Sequence, residues 1–310
     1  TEQESPYVGV EVKPVEKAPS PKSEKEEKAS RGTDYGPAPL KGVAIESKEK
    51  VREPVVGLYF GPGNYRALAY LGFYQELLRE NINIRLLSGE GMGALLGTLF
   101  AGELTPERVE WLFFKFIKGE EAGIPFTREW RESLYRVFVS EIKHEYIEDV
   151  PLKLALPVFS GSEEKILFRV RGPLKEALGA QFRLNRESGE QQGDFSPIEW
   201  ETNPVKGLKN AGADVIIVLN VLGGNIQWKH SGNDLKASFS RAARRLKKFS
   251  QEEKEGALFF DLSLEKIELD ATEKLPFIIQ RGRKAAKQAV PAIKKFIRQW
   301  KQDRVESDKS

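Results

Sequence analysis

Five residues of the chain, Gly89-Glu90-Gly91-Met92-Gly93, have the spacing of a nucleophile elbow. The pattern G-x-S-x-G carries a serine on a steep turn from a strand into a helix, and its outer positions stay small because the backbone doubles back tightly. The chemistry it serves is acyl transfer. That reaction needs a nucleophile, a base within hydrogen-bond reach, and donors for the oxyanion. Gly89 and Gly93 meet the steric demand, and Glu90 and Met92 fill the variable positions. The central residue is Gly91, which has no hydroxyl. The helix beginning after Gly93 would still aim its free N–H groups at an anion in the cleft.

The flanking sequence supplies the elements such an elbow needs. VVGLYF (55–60) reads as a buried strand, YRALAYLGFYQELLREN as a helix with Ala69, Leu71, Tyr74, Leu77 and Leu78 on its apolar face, and INIRLL as a second strand leading into the elbow. After the elbow helix, LTPERVEWLFFKFIKG has Thr105 as N-cap and Pro106 at the first helical position. Further helix is expected over 127–147. LKLALPVF and KILFRVR read as strands, with Ser160 and Ser162 in the hairpin turn between them. GPLKEALGA reads as a short helix, 184–200 as a loop, NPVKGLKNAGADVIIVLNV as a helix, a glycine stop and a core strand, and GALFFDLSL as another strand. The end is one long helix or a helix kinked before Pro291. Strands alternating with helices predict an α/β fold with a mostly parallel sheet covered on both faces.

From residue 54 onward the chain resembles the patatin-like phospholipase family. FGPGNYRALAYLGFYQEL stands where that family has a glycine-rich oxyanion loop, and it keeps Gly61, Gly63 and Arg66. Pro62, Asn64 and Ala67 depart from the pattern. Gly91 then occupies the serine position. NPVKGLKNAGADVIIVLNV matches the family's later turn and strand, and counting back from Pro204 puts Ser196-Pro197-Ile198 where the catalytic aspartate motif would be, with Asp194 nearby. The resemblance implies a three-layer α/β/α fold and a Ser–Asp dyad that uses no histidine. All three catalytic parts are altered here: Gly91 cannot attack, Ser196 is a poor base, and Pro62 removes a backbone N–H from the oxyanion loop. No G-x-S-x-G occurs anywhere in the chain, and Ser88, Ser160 and Ser162 suit turn or cap roles. The expectation is a catalytically inactive domain acting as a binding or scaffold subunit. A lipid acyl hydrolase with another nucleophile and a lipid-binding protein that keeps the pocket remain as alternatives.

Composition narrows the rest. The 310 residues include no cysteine and two histidines, His144 and His230, far apart in sequence, so neither disulfides nor a metal site or cofactor is expected. A net charge of +3 with 31% charged residues does not suit nucleic acid. No run is apolar enough to cross a membrane. Residues 1–53, rich in Pro, Lys, Glu and Ser, read as an extended tether before a folded domain at 54–303 and a polar tail at 304–310. Within the tether, Val8, Val10 and Val12 alternate as a short strand able to add to a partner's sheet edge. The run at 239–251, with Arg241, Arg244, Arg245, Lys247 and Lys248, and the terminal helix, with Lys294, Lys295, Arg298 and Lys301, are candidate contacts for a protein partner or an anionic membrane. The chain starts at Thr1 and its only methionine is Met92, as in a mature secreted protein or lipoprotein. The expected place is the bacterial cell envelope, periplasmic or lipid-anchored, with the cytoplasm left open.

Overall fold

The structure is a computed structural model and describes residues 52–119, 123–184, 193–224, 226–227, 233–253, 256–262 and 264–307. Its strands are β1 (Val56–Phe60), β2 (Ile84–Gly89), β3 (Lys153–Ser160), β4 (Lys165–Arg169), β5 (Asp194–Phe195), β6 (Val215–Asn220) and β7 (Ala257–Asp261). They form one sheet in the order β4-β3-β2-β1-β6-β7, with β5 paired to β3. The pairs β1–β2, β1–β6, β2–β3 and β6–β7 are parallel, while β4 and β5 run antiparallel to β3. The fold is therefore mixed α/β with a mostly parallel sheet and β1 at its centre.

Helices cover both faces. The helices are α1 (Ala69–Arg79), α2 (Met92–Ala101), α3 (Pro106–Lys118), α4 (Arg128–Val139), α5 (Leu174–Ala180), α6 (Pro204–Asn210), α7 (Asn233–Glu252) and α8 (Leu275–Ser307). Alternate side chains of a strand point to opposite faces. Leu58, Phe60, Ile217 and Leu219 therefore pack with α1, α2, α3 and α8. Tyr59 and Val218 pack with Val205 and Leu208 of α6 and Leu246 of α7. Between α1 and α8 the approach is too close for any side chain: a Cβ on Gly282 would lie 1.8 Å from the Ala69 carbonyl oxygen, and one on Gly72 would lie 2.0 Å from that of Ile279.

Local signals fixed several boundaries. The Thr105 hydroxyl accepts from the Arg108 amide at 3.3 Å and Pro106 opens α3. Elsewhere tertiary pairing overrides them. The helix expected over 127–147 stops at Val139, because the following backbone pairs with the segment before α5: Ile147 N–H donates to the Gly172 carbonyl and Leu174 N–H to the Glu145 carbonyl, both at 2.9 Å. On α1, Leu78 is 45% exposed, since Leu77 and Leu78 lie about 100° apart around the helix and only Leu77 reaches the core. The run at 239–251 is most of a helix, α7, with Phe239, Ala242, Leu246 and Phe249 buried. The terminal helix is continuous through Pro291, and 304–307 extend it rather than forming a separate tail. The tether with Val8, Val10 and Val12 lies outside the described residues, as does His230.

Candidate functional site

The elbow sits at the carboxyl end of β2, beside the carboxyl end of β1. Gly91 has φ 55° and ψ −119°, a conformation that favours glycine, and α2 begins at the next residue. The turn is so tight that its flanking glycines have no room for a side chain. A Cβ on Gly93 would lie 2.3 Å from the Phe60 carbonyl oxygen, and one on Gly89 would lie 2.6 Å from the Gly93 carbonyl carbon. Gly91 differs: a Cβ there would meet nothing within 4 Å. The position that would project a nucleophile is open, and nothing projects from it.

Two buried clamps hold this turn. Beneath it, the Glu90 carboxylate is fully buried and accepts from both the Tyr59 hydroxyl and the Arg245 guanidinium, the latter at 2.7 and 2.6 Å to its two oxygens. Arg245 also donates to the Trp200 carbonyl. A buried carboxylate persists only when paired and hydrogen-bonded, and Glu90 is both. Burial, reinforced by the neighbouring Glu90 carboxylate, pushes the Tyr59 phenol well above its ordinary pKa. On the other side, Gln181 accepts from the Gly91 amide at 3.0 Å and donates to the Pro157 carbonyl at 2.6 Å.

Opposite the elbow lies the loop at 61–66. Gly61 donates its amide to the Leu219 carbonyl at 3.0 Å, continuing the β1–β6 ladder. Pro62 has no N–H, so neither residue offers a donor to a bound anion. Arg66 is fully buried and turned inward, donating to the Ile267 carbonyl at 2.6 Å and the Val221 carbonyl at 3.2 Å. Desolvation lowers its pKa to about 10. Its task is to tie the loop to the segments after β6 and β7. Asn64, at φ 44°, is 4% exposed and lines the elbow cleft, with both polar atoms of its side chain buried.

The cleft itself, about 60 Å³, is bounded on its polar side by Pro62, Gly63, Asn64, Gly91, Gln181 and Ser196. Its remaining wall is largely apolar and aromatic, with Met92, Phe126, Trp130, Phe182 and Phe239, and includes Arg131. The Trp130 indole is held by donating to the Tyr65 hydroxyl at 3.0 Å. The structure thus brings Gly91, Asn64 and Ser196 around one space, although Ser196 is 105 positions beyond Gly91 in the sequence. Gly89, Glu90 and Gly93 support the turn from behind. Gln181 and the aromatic wall carried no signal in the sequence, since nothing local ties a residue after α5 to an elbow ninety positions earlier.

Two expectations are corrected. Asp194 does not reach the cleft: it sits on β5, its carboxylate bound by Arg169 of β4. Arg245 is no surface contact: it is 8% exposed and points inward to Glu90. The rest of that basic run does face solvent, with Arg241 paired to Glu199 at 3.6 Å and Lys248 to Glu201 at 3.0 Å, and Arg244 and Lys247 exposed. The basic residues of α8 lie across the sheet from those of α7, so one flat surface meets one set or the other. There, Lys294 pairs with Glu80 and Lys301 with Glu53, while Lys295 and Arg298 are exposed. Among the other serines, Ser88 is fully buried, and Ser160 contacts Ser162 at 3.1 Å in the β3–β4 hairpin. Among the described residues no group of acidic or histidine side chains could hold a metal ion. None of the described helices is long and apolar enough to cross a membrane.

No protein-family model matches the chain. Among solved structures it is similar to VipD from Legionella pneumophila, at 9% identity and a TM-score of 0.40, over 78% of this chain and 67% of that one. It is also similar to the type III effector protein ExoU, at 12% identity and a TM-score of 0.37, over 80% of this chain and 53% of that one. The heterodimeric complex ExoU-SpcU from the type III secretion system of Pseudomonas aeruginosa gives 12% identity and a TM-score of 0.37, over 78% of this chain and 52% of that one. The chain spans about half the length of the ExoU structures it matches, and TM-scores below 0.5 make these loose likenesses.

Proposed function

We propose that the chain contains a patatin-like domain without acyl-hydrolase catalysis, serving as a binding or scaffold subunit of an envelope-associated protein assembly. The observation that carries this reading is the elbow. Gly91 turns at φ 55° and ψ −119° into an open space, at the carboxyl end of a central parallel strand, where a nucleophile would stand. Across the same cleft the residue in the base position is Ser196, and the nearest candidate carboxylate, Asp194, is bound to Arg169. Attack, proton removal and oxyanion stabilisation each lack their residue, and loss of all three accords with divergence from an enzyme rather than with an engineered single change. The retained turn supports a role for the scaffold apart from catalysis. In this reading the tether at 1–53 supplies reach, and its Val8, Val10 and Val12 dock on a partner's sheet edge.

The test has two arms. A fluorophosphonate probe and a short-chain ester assay should show no labelled serine and no turnover above the uncatalysed rate; reproducible labelling of one serine would overturn the inactive assignment. Pull-downs from native membranes with full-length and tether-deleted protein should differ. Identical partner sets would move recognition from the tether to the globular surface.

A further inference from the structure

The outward face of α8 carries charge of one sign. From Lys274 to Gln302 the chain has nine lysines and arginines and no aspartate or glutamate. The structure sorts these cations by role. Arg283, Lys294 and Lys301 lie on one flank of the helix and fasten it to the fold. Arg283 donates to Gln75 at 2.7 Å and pairs with Glu110 at 3.4 Å, Lys294 pairs with Glu80 at 2.7 Å, and Lys301 with Glu53 at 2.6 Å. Lys274 pairs with Glu268 just before the helix. The remaining five are Arg281, Lys284, Lys287, Lys295 and Arg298. All are exposed, and none pairs with a carboxylate among the described residues.

Helical geometry makes these five a stripe. At 100° per residue they fall within about 120° of arc, on the side away from the buried Gly282, Ala286 and Ile293. At 1.5 Å per residue the stripe runs about 26 Å from Arg281 to Arg298. Arg281 and Lys284, Lys284 and Lys287, and Lys295 and Arg298 stand three positions apart, where like charges repel and weaken a helix. Solvated helix faces ordinarily relieve this with glutamates at the same spacing. The helix dipole does not account for the stripe, since its effect is confined to the last turn, beyond Arg298. At the amino end of the same face Phe277 is 48% exposed, with the Arg281 guanidinium 5.3 Å from its ring.

We infer that this face of α8 docks flat on an anionic lipid surface. The headgroups supply the negative charge that the helix lacks, and Phe277 enters the headgroup layer, where aromatic rings are well accommodated. The apolar side of α8 stays in the protein core, so the contact is adsorption by charge and not insertion. Nucleic acid is the poorer match. The net charge of the chain is only +3, and the stripe has a single exposed aromatic, at one end, where bases would need a series on which to stack. The contact does not depend on the elbow being inactive.

Co-sedimentation of the full chain with phosphatidylcholine vesicles, with and without phosphatidylserine, tests it. Binding should need phosphatidylserine and fall as salt rises, because exposed charges are screened. Lys284→Gln, Lys287→Gln and Lys295→Gln remove exposed charges only, so each should fold and lower the partition coefficient about fivefold, and the triple variant about a hundredfold. Phe277→Ala should weaken binding and leave its salt dependence in place. Arg244→Gln with Lys247→Gln, on the other face of the sheet, should leave binding unchanged. Equal sedimentation with neutral vesicles, an unaltered triple variant, an equal loss from the α7 pair, or tighter binding to a short DNA duplex than to the vesicles would each overturn the inference. None of these readouts measures ester hydrolysis, so their failure leaves the inactive reading standing.

Discussion

Replacing Gly91 by serine restores the missing nucleophile on paper, and the structure says what it would cost and what it would gain. The added Cβ meets no atom within 4 Å, so the penalty is confined to the backbone at φ 55° and ψ −119°. Holding a non-glycine residue in such a region costs about 1–3 kcal/mol. At roughly 2–4 °C per kcal/mol for a domain of this size, the melting temperature should fall by about 2–12 °C and the protein should still fold. Gly93→Ala makes the contrast. Its Cβ would lie 2.3 Å from the Phe60 carbonyl oxygen, and backbone cannot retreat from backbone. That variant should fail to fold or lose far more stability.

Activity is the second half of the same experiment. Gly91→Ser should show no turnover of a short-chain ester and no burst with a fluorophosphonate probe. Its hydroxyl would face Ser196, which has no basic group, while Asp194 stays with Arg169. Gly91→Ser combined with Ser196→Asp adds a carboxylate across the cleft and should give slow labelling. Its rate should stay well below that of a competent hydrolase, because each absent oxyanion donor costs about a factor of 10²–10³ and the Gly61 amide is already bound to Leu219. Robust turnover from the single variant would refute the reasoning, since the described residues lining the cleft include no carboxylate to act as a base.

Further outcomes follow from the buried clamps and the surfaces. Arg245→Met strands the Glu90 carboxylate in the core, and breaking such a pair costs about 3–5 kcal/mol, or roughly 6–20 °C in melting temperature; pairing it with Glu90→Leu should recover much of the loss, and an unchanged single variant would refute the burial of this pair. The phenols of Tyr59, Tyr65, Tyr70 and Tyr74 are all raised by burial, Tyr74 to about 12. Groups raised in the folded state stabilise it fully below their ordinary pKa near 10 and lose that contribution as pH climbs through the folded values. The denaturation midpoint should therefore fall from about pH 10 upward, with phenolate absorbance at 295 nm rising together with loss of circular dichroism; ordinary titration near pH 10 with the fold intact would contradict this. On anionic vesicles, reversing Lys295 and Arg298, exposed on α8, should weaken sedimentation to a different extent from reversing Arg244 and Lys247, exposed on α7. Each basic group near the surface is worth about 1 kcal/mol, and the two helices lie on opposite faces of the sheet; equal effects from both helices would exclude a single flat contact.

The alternation of strands and helices is legible in the sequence because each element has its own local period, and the elbow is legible because only glycine fits at Gly89 and Gly93. What is not legible is who meets whom across the sheet. β1 pairs with β6, about 160 residues on, and no local pattern states that register. Arg245 shows where the boundary falls. Counted only as charge, it belongs to a basic surface run. Counted by helical period, it lies three residues after Ala242 and four before Phe249, on the stripe that turns out to be buried. The sequence therefore contained the signal that Arg245 points inward, but its partner lies 155 residues away. The same holds for Glu90. At a variable elbow position it has no assigned chemistry, yet the fold uses it to fix the turn to α7 through Arg245 and to β1 through Tyr59. The turn is thus held by a buried ion pair, expensive to assemble and costly to break.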